Sequence, residues 1–349
     1  MVVSRKFLHD GPGSDNRQPT PRNDQPITGP TARPMDHELD QSRRISARIR
    51  RASRRLLRDL RYGAKRLAGR PVHIHIENRW RIGDEVLAIP FYELLHRRFP
   101  SARISVGVNH PELLAGQLHV TIEADRTEFD CDRYIFLCED VRSVARLEAL
   151  CLAHRVPFTE LEPRLRLTGA ELPAPAGRPR VVYSVGAGWV CKQWPVEHMR
   201  DLLNRIREGY PEAAFIELGK DCDGVGTGQD MRNQLTLVEC AAILQHSDLY
   251  IGPDSGLVHL ALASGIAAVG LYGPVNPALA FGPRERLVAL VSPEPCQGCW
   301  TDRRMREPGR CALGLDGTSP QDYPCMTTIT PQTVFEQIEA AGLLKAATA

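Results

Sequence analysis

The chain has no apolar run approaching the length of a transmembrane helix, which sets aside membrane-spanning functions. Its first residues show no charged start followed by an apolar stretch, so a secretory signal is not expected. Aromatics are few, at 6%. They do not interleave with the basic cluster, no base-reading motif occurs, and nucleic acid is not an expected partner. No Walker pattern is present, so a P-loop ATPase has no support. Cysteine is present, ten in 349 residues, but this is not the composition of a secreted disulfide scaffold. Without an export signal, a reducing cytoplasm is the expected location.

At 42% hydrophobic and 25% charged residues the chain has material for a sizeable core, and its length predicts one large or two medium domains. The net charge of +2 is unevenly spread. Residues 1–70 carry 17 Lys/Arg against 7 Asp/Glu, a surplus of 10, which leaves the remainder at −8. Residues 1–40 are rich in Pro, Gly, Asp, Asn, Gln and Thr and read as disordered. Residues 41–70 differ. Ile45, Ile49, Leu56, Leu60 and Leu67 recur at helical spacing among arginines, the pattern of a basic amphipathic helix. Over 41–67 this helix suits peripheral attachment to an anionic membrane surface, or packing on the body of the protein.

From Pro71 strands and helices alternate, which predicts parallel sheets with crossover helices. Val72–Ile76, Ile104–Val108 and Tyr134–Leu137 read as strands, with a helix over Val86–Phe99 and helical material over Val141–Ala153. Leu167–Pro179 is Pro-rich and reads as a hinge. Beyond it, strands are predicted at Val181–Val185, Ala214–Leu218, Asp248–Ile251, Ala268–Tyr272 and Leu287–Val291. The reading is α/β: two doubly wound, Rossmann-like halves, 71–172 and 173–349, with ligands bound between them at the carboxyl ends of strands.

Three strand-end loops carry chemistry. Asp254-Ser255-Gly256 is a tight strand-to-helix turn, with His259 one turn on and Gly265 ending the helix. Such a turn aims N–H groups and the positive end of a helix dipole at one spot, which suits a diphosphate. The plain alternative is an Asx or Ser cap on a packing helix. Gly186-Ala187-Gly188 followed by Lys192-Gln193-Trp194-Pro195 is a Gly-rich turn with a cation and a helix start, a reasonable phosphate cradle. Gly83-Asp84 follows the first strand, and by itself Asp84 reads as a helix N-cap. The Gly224–Gly228 run lacks a strand–turn–helix context and reads as a flexible loop. Cys296-Gln297-Gly298-Cys299 with Cys311 and Cys325 supplies four thiolates within one loop, 296–325, enough for a tetrahedral site that softness assigns to zinc or iron. Unrelated reduced cysteines, or a redox pair at Cys296 and Cys299, are the alternatives. The other six cysteines read as packing.

Ile82-Gly83-Asp84-Glu85-Val86-Leu87, the Gly186-to-Pro195 stretch and Asp254-Ser255-Gly256-Leu257-Val258-His259-Leu260-Ala261 with Leu271-Tyr272-Gly273-Pro274 and Pro277 together resemble the bacterial heptosyltransferases, the ninth glycosyltransferase family. The resemblance covers roughly Pro71 to Ile338. It implies a GT-B fold with an N-terminal acceptor domain and a C-terminal nucleotide-sugar domain. It implies transfer from a nucleotide-diphosphate sugar, typically ADP-heptose, with inversion and without a catalytic metal. Carried over, Asp84 is the base and Lys192 neutralises the departing diphosphate. Gly186, Ala187, Gly188, Asp254, Ser255 and Gly256 hold the diphosphate, with His259 supporting them. Trp194 reads as core. Ala187 and Gly188 lack hydroxyls found in many relatives, Val275 replaces a common Thr, and Glu85 adds a negative charge beside the base. The acceptor implied is lipid-linked core saccharide at the inner face of the cytoplasmic membrane. Family members that heptosylate autotransporter proteins carry a four-Cys iron-binding finger and form large oligomers, so a protein acceptor and a homo-oligomer compete with it. A non-catalytic nucleotide-sugar-binding or metal-stapled assembly protein is the third reading.

Overall fold

Alternating apolar strands and amphipathic helices build two all-parallel sheets. The structure, a computed structural model, describes residues 53–54, 56–117, 119–123, 131–137, 146–167, 176–282, 284–302, 304–305, 307 and 309–344. The disorder expected for 1–40, the first part of the basic helix and most of the Pro-rich hinge lie outside these residues.

The first sheet contains β1 (His73–Asn78), β2 (Arg103–Val108), β3 (Thr121–Ile122) and β4 (Arg133–Phe136), in the order β3-β2-β1-β4. The second contains β5 (Arg180–Tyr183), β6 (Ala214–Glu217), β7 (Gln229–Asp230), β8 (Leu249–Pro253), β9 (Ala267–Tyr272) and β10 (Leu287–Val291), in the order β10-β9-β8-β5-β6-β7. Every pairing is parallel. The α/β, doubly wound expectation holds. Each sheet has a point where strand order reverses, between β1 and β4 and between β5 and β8, and there the outgoing loops diverge to leave a crevice.

The helices are α1 (56–67), α2 (Ile82–Leu87), α3 (Ile89–Arg98), α4 (Arg146–His154), α5 (Val196–Gly209), α6 (Leu237–Gln245), α7 (Gly256–Ser264), α8 (Pro277–Phe281), α9 (Pro324–Thr327) and α10 (Pro331–Ala340). Among the described residues no helix is long and apolar enough to cross a membrane. The single helix expected over Val86–Phe99 is two helices. The first begins at Ile82, and Pro90, which cannot donate to a continuing ladder, sits in the first turn of the second. In α5, Met199, Leu202, Leu203 and Ile206 follow helical spacing and are buried. Gly265 closes α7 at φ 91°, a conformation glycine adopts without strain.

Sidedness on β5 follows the two-residue period. Val182 faces a core that joins Ile74, Ile76 and Val106 of the first sheet to Val258 and Leu260 of α7. Val181 and Tyr183 face a second core, with the apolar side of α5 and the cysteine loop. Trp194 belongs to it, fully buried, its Nε1–H donating to Ile329 O at 2.9 Å. The Gly224–Gly228 run is a loop, as expected, but a pinned one: Val225 is buried and its N–H donates to the Glu217 carboxylate at 3.0 and 3.1 Å.

Candidate active site

The loops leaving β1, β5 and β8 meet. The β5 and β8 loops flank the reversal point of the second sheet, and they are tied by an ion pair: Lys192 Nζ donates to Asp254 Oδ2 at 2.6 Å. Both side chains are largely buried. Burial alone would raise the Asp254 pKa, but the Lys192 ammonium and the neighbouring His259 overcome it and hold the carboxyl well below the usual carboxylate range. His259 Nε2 stands 3.8 Å from Asp254 Oδ1. Lys192 also lies over the Trp189 ring, 4.9 Å from its centroid.

The β1 loop completes the group. A Cβ on Gly83 would come within 2.6 Å of His259 Cδ2, and one on Gly256 within 3.0 Å of Ile82 Cβ. Helices α2 and α7 therefore approach so closely that a side chain at Gly83 would displace His259 and one at Gly256 would press on Ile82. Arg81, just before α2, reaches into the space that Gly188 leaves open: a Cβ there would stand 2.5 Å from Arg81 Nη1. The Arg81 guanidinium sits over the Trp189 ring at 5.3 Å. The missing side chain at Gly188 is thus the room that a second cation occupies. Nothing in the local sequence marks Arg81, because its partners Gly188 and Trp189 lie a domain away.

Ser255 occupies the N-cap position of α7, a packed helix, but makes no side-chain capping bond. The Tyr250 phenol, fully buried, lies beside the Ser184 and Ser255 hydroxyls and joins the β5 and β8 loop bases. Gly186 packs against Cys222, its N–H donating to Ser184 Oγ at 3.3 Å, and Ala187 O accepts from Gln193 Nε2 at 3.1 Å. The first turn of α7 therefore presents N–H groups, with roughly half a positive charge at its end.

Asp84 occupies the third position of α2, not the N-cap. Its Oδ2 accepts from the Arg81 N–H at 3.3 Å and its carbonyl from Asn78 Nδ2 at 3.4 Å. It is only partly buried and stands on the helix that meets α7. Glu85, beside it, has partners of its own. Its carboxylate is buried and accepts from Asn109 N at 2.7 Å, His110 N at 3.1 Å and His110 Nδ1 at 2.9 Å, which ties α2 to the end of β2. Burial raises its pKa against the pull of those donors. Val275 is buried with Leu87 and Tyr272.

The cysteine loop lies against the same platform. Trp300 meets Trp189 edge-on at 4.9 Å, and a Cβ on Gly309 would come within 3.1 Å of the Trp189 ring. Cys296, Cys299, Cys311 and Cys325 share one apolar cluster with Cys191, which the sequence assigned to packing. Their thiols influence one another electrostatically, burial pushing Cys325 up to about 12 and Cys191 up to about 11. Gly298, at φ 76°, forms the knuckle of the Cys-x-x-Cys turn. The donor set fits a soft metal. As the side chains stand, no three His, Cys, Asp or Glu among the described residues are arranged to hold an ion.

Two doubly wound parallel sheets, with a strand-end site of paired cation and carboxylate beside a helix N-terminus, place the molecule in the GT-B class. Residues 153–308, less than half of the chain, match the model of glycosyltransferase family 9 (heptosyltransferase). It is 29% identical over 175 residues to lipopolysaccharide heptosyltransferase 1 of Pseudomonas aeruginosa, a match covering 48% of this chain and 49% of that protein. The chain thus spans about half the length of that curated relative. The fold is similar to that of ADP-heptose lipopolysaccharide heptosyltransferase II of E. coli, with a TM-score of 0.57 at 17% identity over 77% of this chain and 98% of the other. It is also similar to the iron-containing dodecameric glycosyltransferase TibC of enterotoxigenic E. coli, with a TM-score of 0.62 at 19% identity over 77% of this chain and 76% of the other.

Proposed function

We propose that the protein is an inverting glycosyltransferase that moves heptose from ADP-heptose to a lipopolysaccharide-core acceptor at the cytoplasmic face of a membrane. The observation that carries this reading is the meeting of the Asp84 helix with Lys192, Asp254 and the amino end of α7 at the reversal point of the second sheet. The names of the relatives supply the sugar and the nucleotide.

In this mechanism the donor diphosphate lies against the first N–H groups of α7 and the Gly186–Gly188 turn, with His259 bracing Asp254. Asp254 takes one of the three Lys192 N–H donors and leaves the others for phosphate oxygens. Arg81 adds the positive charge that Asp254 cancels on Lys192. Asp84 takes the proton of the acceptor hydroxyl as its oxygen bonds to the anomeric carbon from the face opposite the diphosphate. The bond to the diphosphate breaks, its electron pair stays on phosphate oxygen, and Lys192, Arg81 and the helix dipole stabilise that charge. These groups supply the neutralisation for which other glycosyltransferases use a metal.

The test is a titration with ADP, UDP, GDP and ADP-heptose alongside turnover of an Asp84→Asn variant. ADP species bind selectively, and the variant keeps ADP-heptose affinity while losing turnover by about a hundredfold or more. UDP or GDP preference changes the sugar. Unaltered function in the variant returns the molecule to a non-catalytic nucleotide-sugar-binding or metal-stapled assembly role.

The cysteine loop favours a second acceptor, a protein of the autotransporter type. On this reading Cys296, Cys299, Cys311 and Cys325 turn towards one another to hold structural iron or zinc, and the protein assembles as a homo-oligomer.

A further inference from the structure

Helix α1 is docked by its polar side. Lys65 Nζ pairs with Asp132 Oδ2 at 2.7 Å and Arg61 Nε with Asp132 Oδ1 at 2.9 Å. The Asp132 carboxylate is buried and also accepts from His73 N–H at 2.9 Å, which fixes the clamp to the start of β1. Tyr62 packs on the first core beneath Arg133, and Arg66 lies over the Phe99 ring at 5.1 Å. The apolar side faces outward. Leu56, Leu57 and Leu60 are 62%, 65% and 61% exposed, and Leu67 is 93% exposed. At helical spacing these leucines and Ala64 fall within an arc of about 100°. Arg54 and Arg61 border that arc on the Leu57 side.

A helix packed for core stability turns its leucines inward; this one is held with them outward. The charge around them selects the partner. Residues 41–70 contain eleven Arg and one Lys against a single acid, Asp59. An apolar stripe carried by a stretch of sequence with that surplus complements a surface that is apolar below and anionic above. We propose that α1 is a docking surface for an anionic lipid bilayer. The leucine stripe enters the interface, the basic residues of 41–70 other than Arg61, Lys65 and Arg66 meet lipid phosphates, and the Asp132 clamp that holds Arg61 and Lys65 sets how the body stands on the membrane. The inference rests on α1 alone and does not depend on the reaction.

The test uses the full chain in flotation with vesicles of phosphatidylcholine alone or mixed with phosphatidylglycerol, at low and high salt. The wild type binds the mixed vesicles at least tenfold more tightly than the neutral ones, and added salt weakens that binding. Leu56→Gln/Leu60→Gln/Leu67→Gln abolishes it while thermal midpoint and ADP affinity stay put. The single Leu67→Gln variant, at the most exposed position, gives a partial loss. Failure of the wild type to bind anionic vesicles, or binding indifferent to the leucines, overturns the proposal. Substitutions that dissociate an oligomer without changing vesicle binding identify a second copy of the chain as the occupant instead.

Discussion

Lys192 and Asp254 depend on each other, and their roles separate by substitution. Lys192→Met leaves a buried carboxylate without its cation, at a cost of about 3–5 kcal/mol in stability. On the proposed mechanism it also removes the charge that stabilises the leaving group, worth about 10²–10³ in kcat. Adding Asp254→Asn restores much of the urea midpoint, because no charge is stranded, but restores no turnover. A double variant recovering both would remove Lys192 from the chemistry. Gly83 is constrained by contact: Gly83→Ala pushes a methyl group into His259, so the unfolding midpoint falls by about 1–3 kcal/mol equivalent and turnover falls with it. Gly209→Ala, with open space around it at the end of α5, is the neutral control.

At the scale of elements, α4 carries a pH response. Burial first and the Arg133 guanidinium second hold the His154 imidazole down to about 4, against about 6.5 in an unfolded chain. Between pH 6.5 and 4 the unfolded chain therefore binds a proton that the folded one refuses. Stability contributed by the neutral ring is full above pH 6.5 and declines as pH falls to about 4. Thermal midpoints across that range should show the slope, and His154→Gln should flatten it. Long elements of the fold were legible in the sequence because periodicity needs length: the strand at Leu287–Val291, the amphipathic α5 and the glycine stop of α7 all lie where the pattern places them. Two-residue strands such as β3 and β7 carry no period and went unseen. The break at Ala88 hid inside an apolar run, because a proline in a first helical turn disturbs nothing that a pattern reveals. That the loops carrying Asp84, Lys192 and Asp254 come together follows from their strand-end positions. Arg81 was not legible, since its partners Gly188 and Trp189 lie more than a hundred positions away, while Cys191 is packed in the second core as read.

For the whole molecule, the cysteine loop and the proposed sugar site share one support. Trp189 carries Lys192 and Arg81 on its ring and Trp300 and Gly309 against it. If the loop holds a structural ion, elemental analysis of the purified protein finds close to one equivalent of iron or zinc. Cys296→Ser and Cys325→Ser lose it, and the loop becomes sensitive to protease. Metal-free protein with a protease-resistant loop would leave the thiols as core. The chain has four tryptophans, and Trp194 is sealed in the second core. A diphosphate that draws Lys192 and Arg81 off the indole changes the light it emits. Occupancy of the sugar site is then visible as intrinsic fluorescence, without a label, and Trp189→Phe darkens that signal while the sealed indole keeps shining as an internal reference.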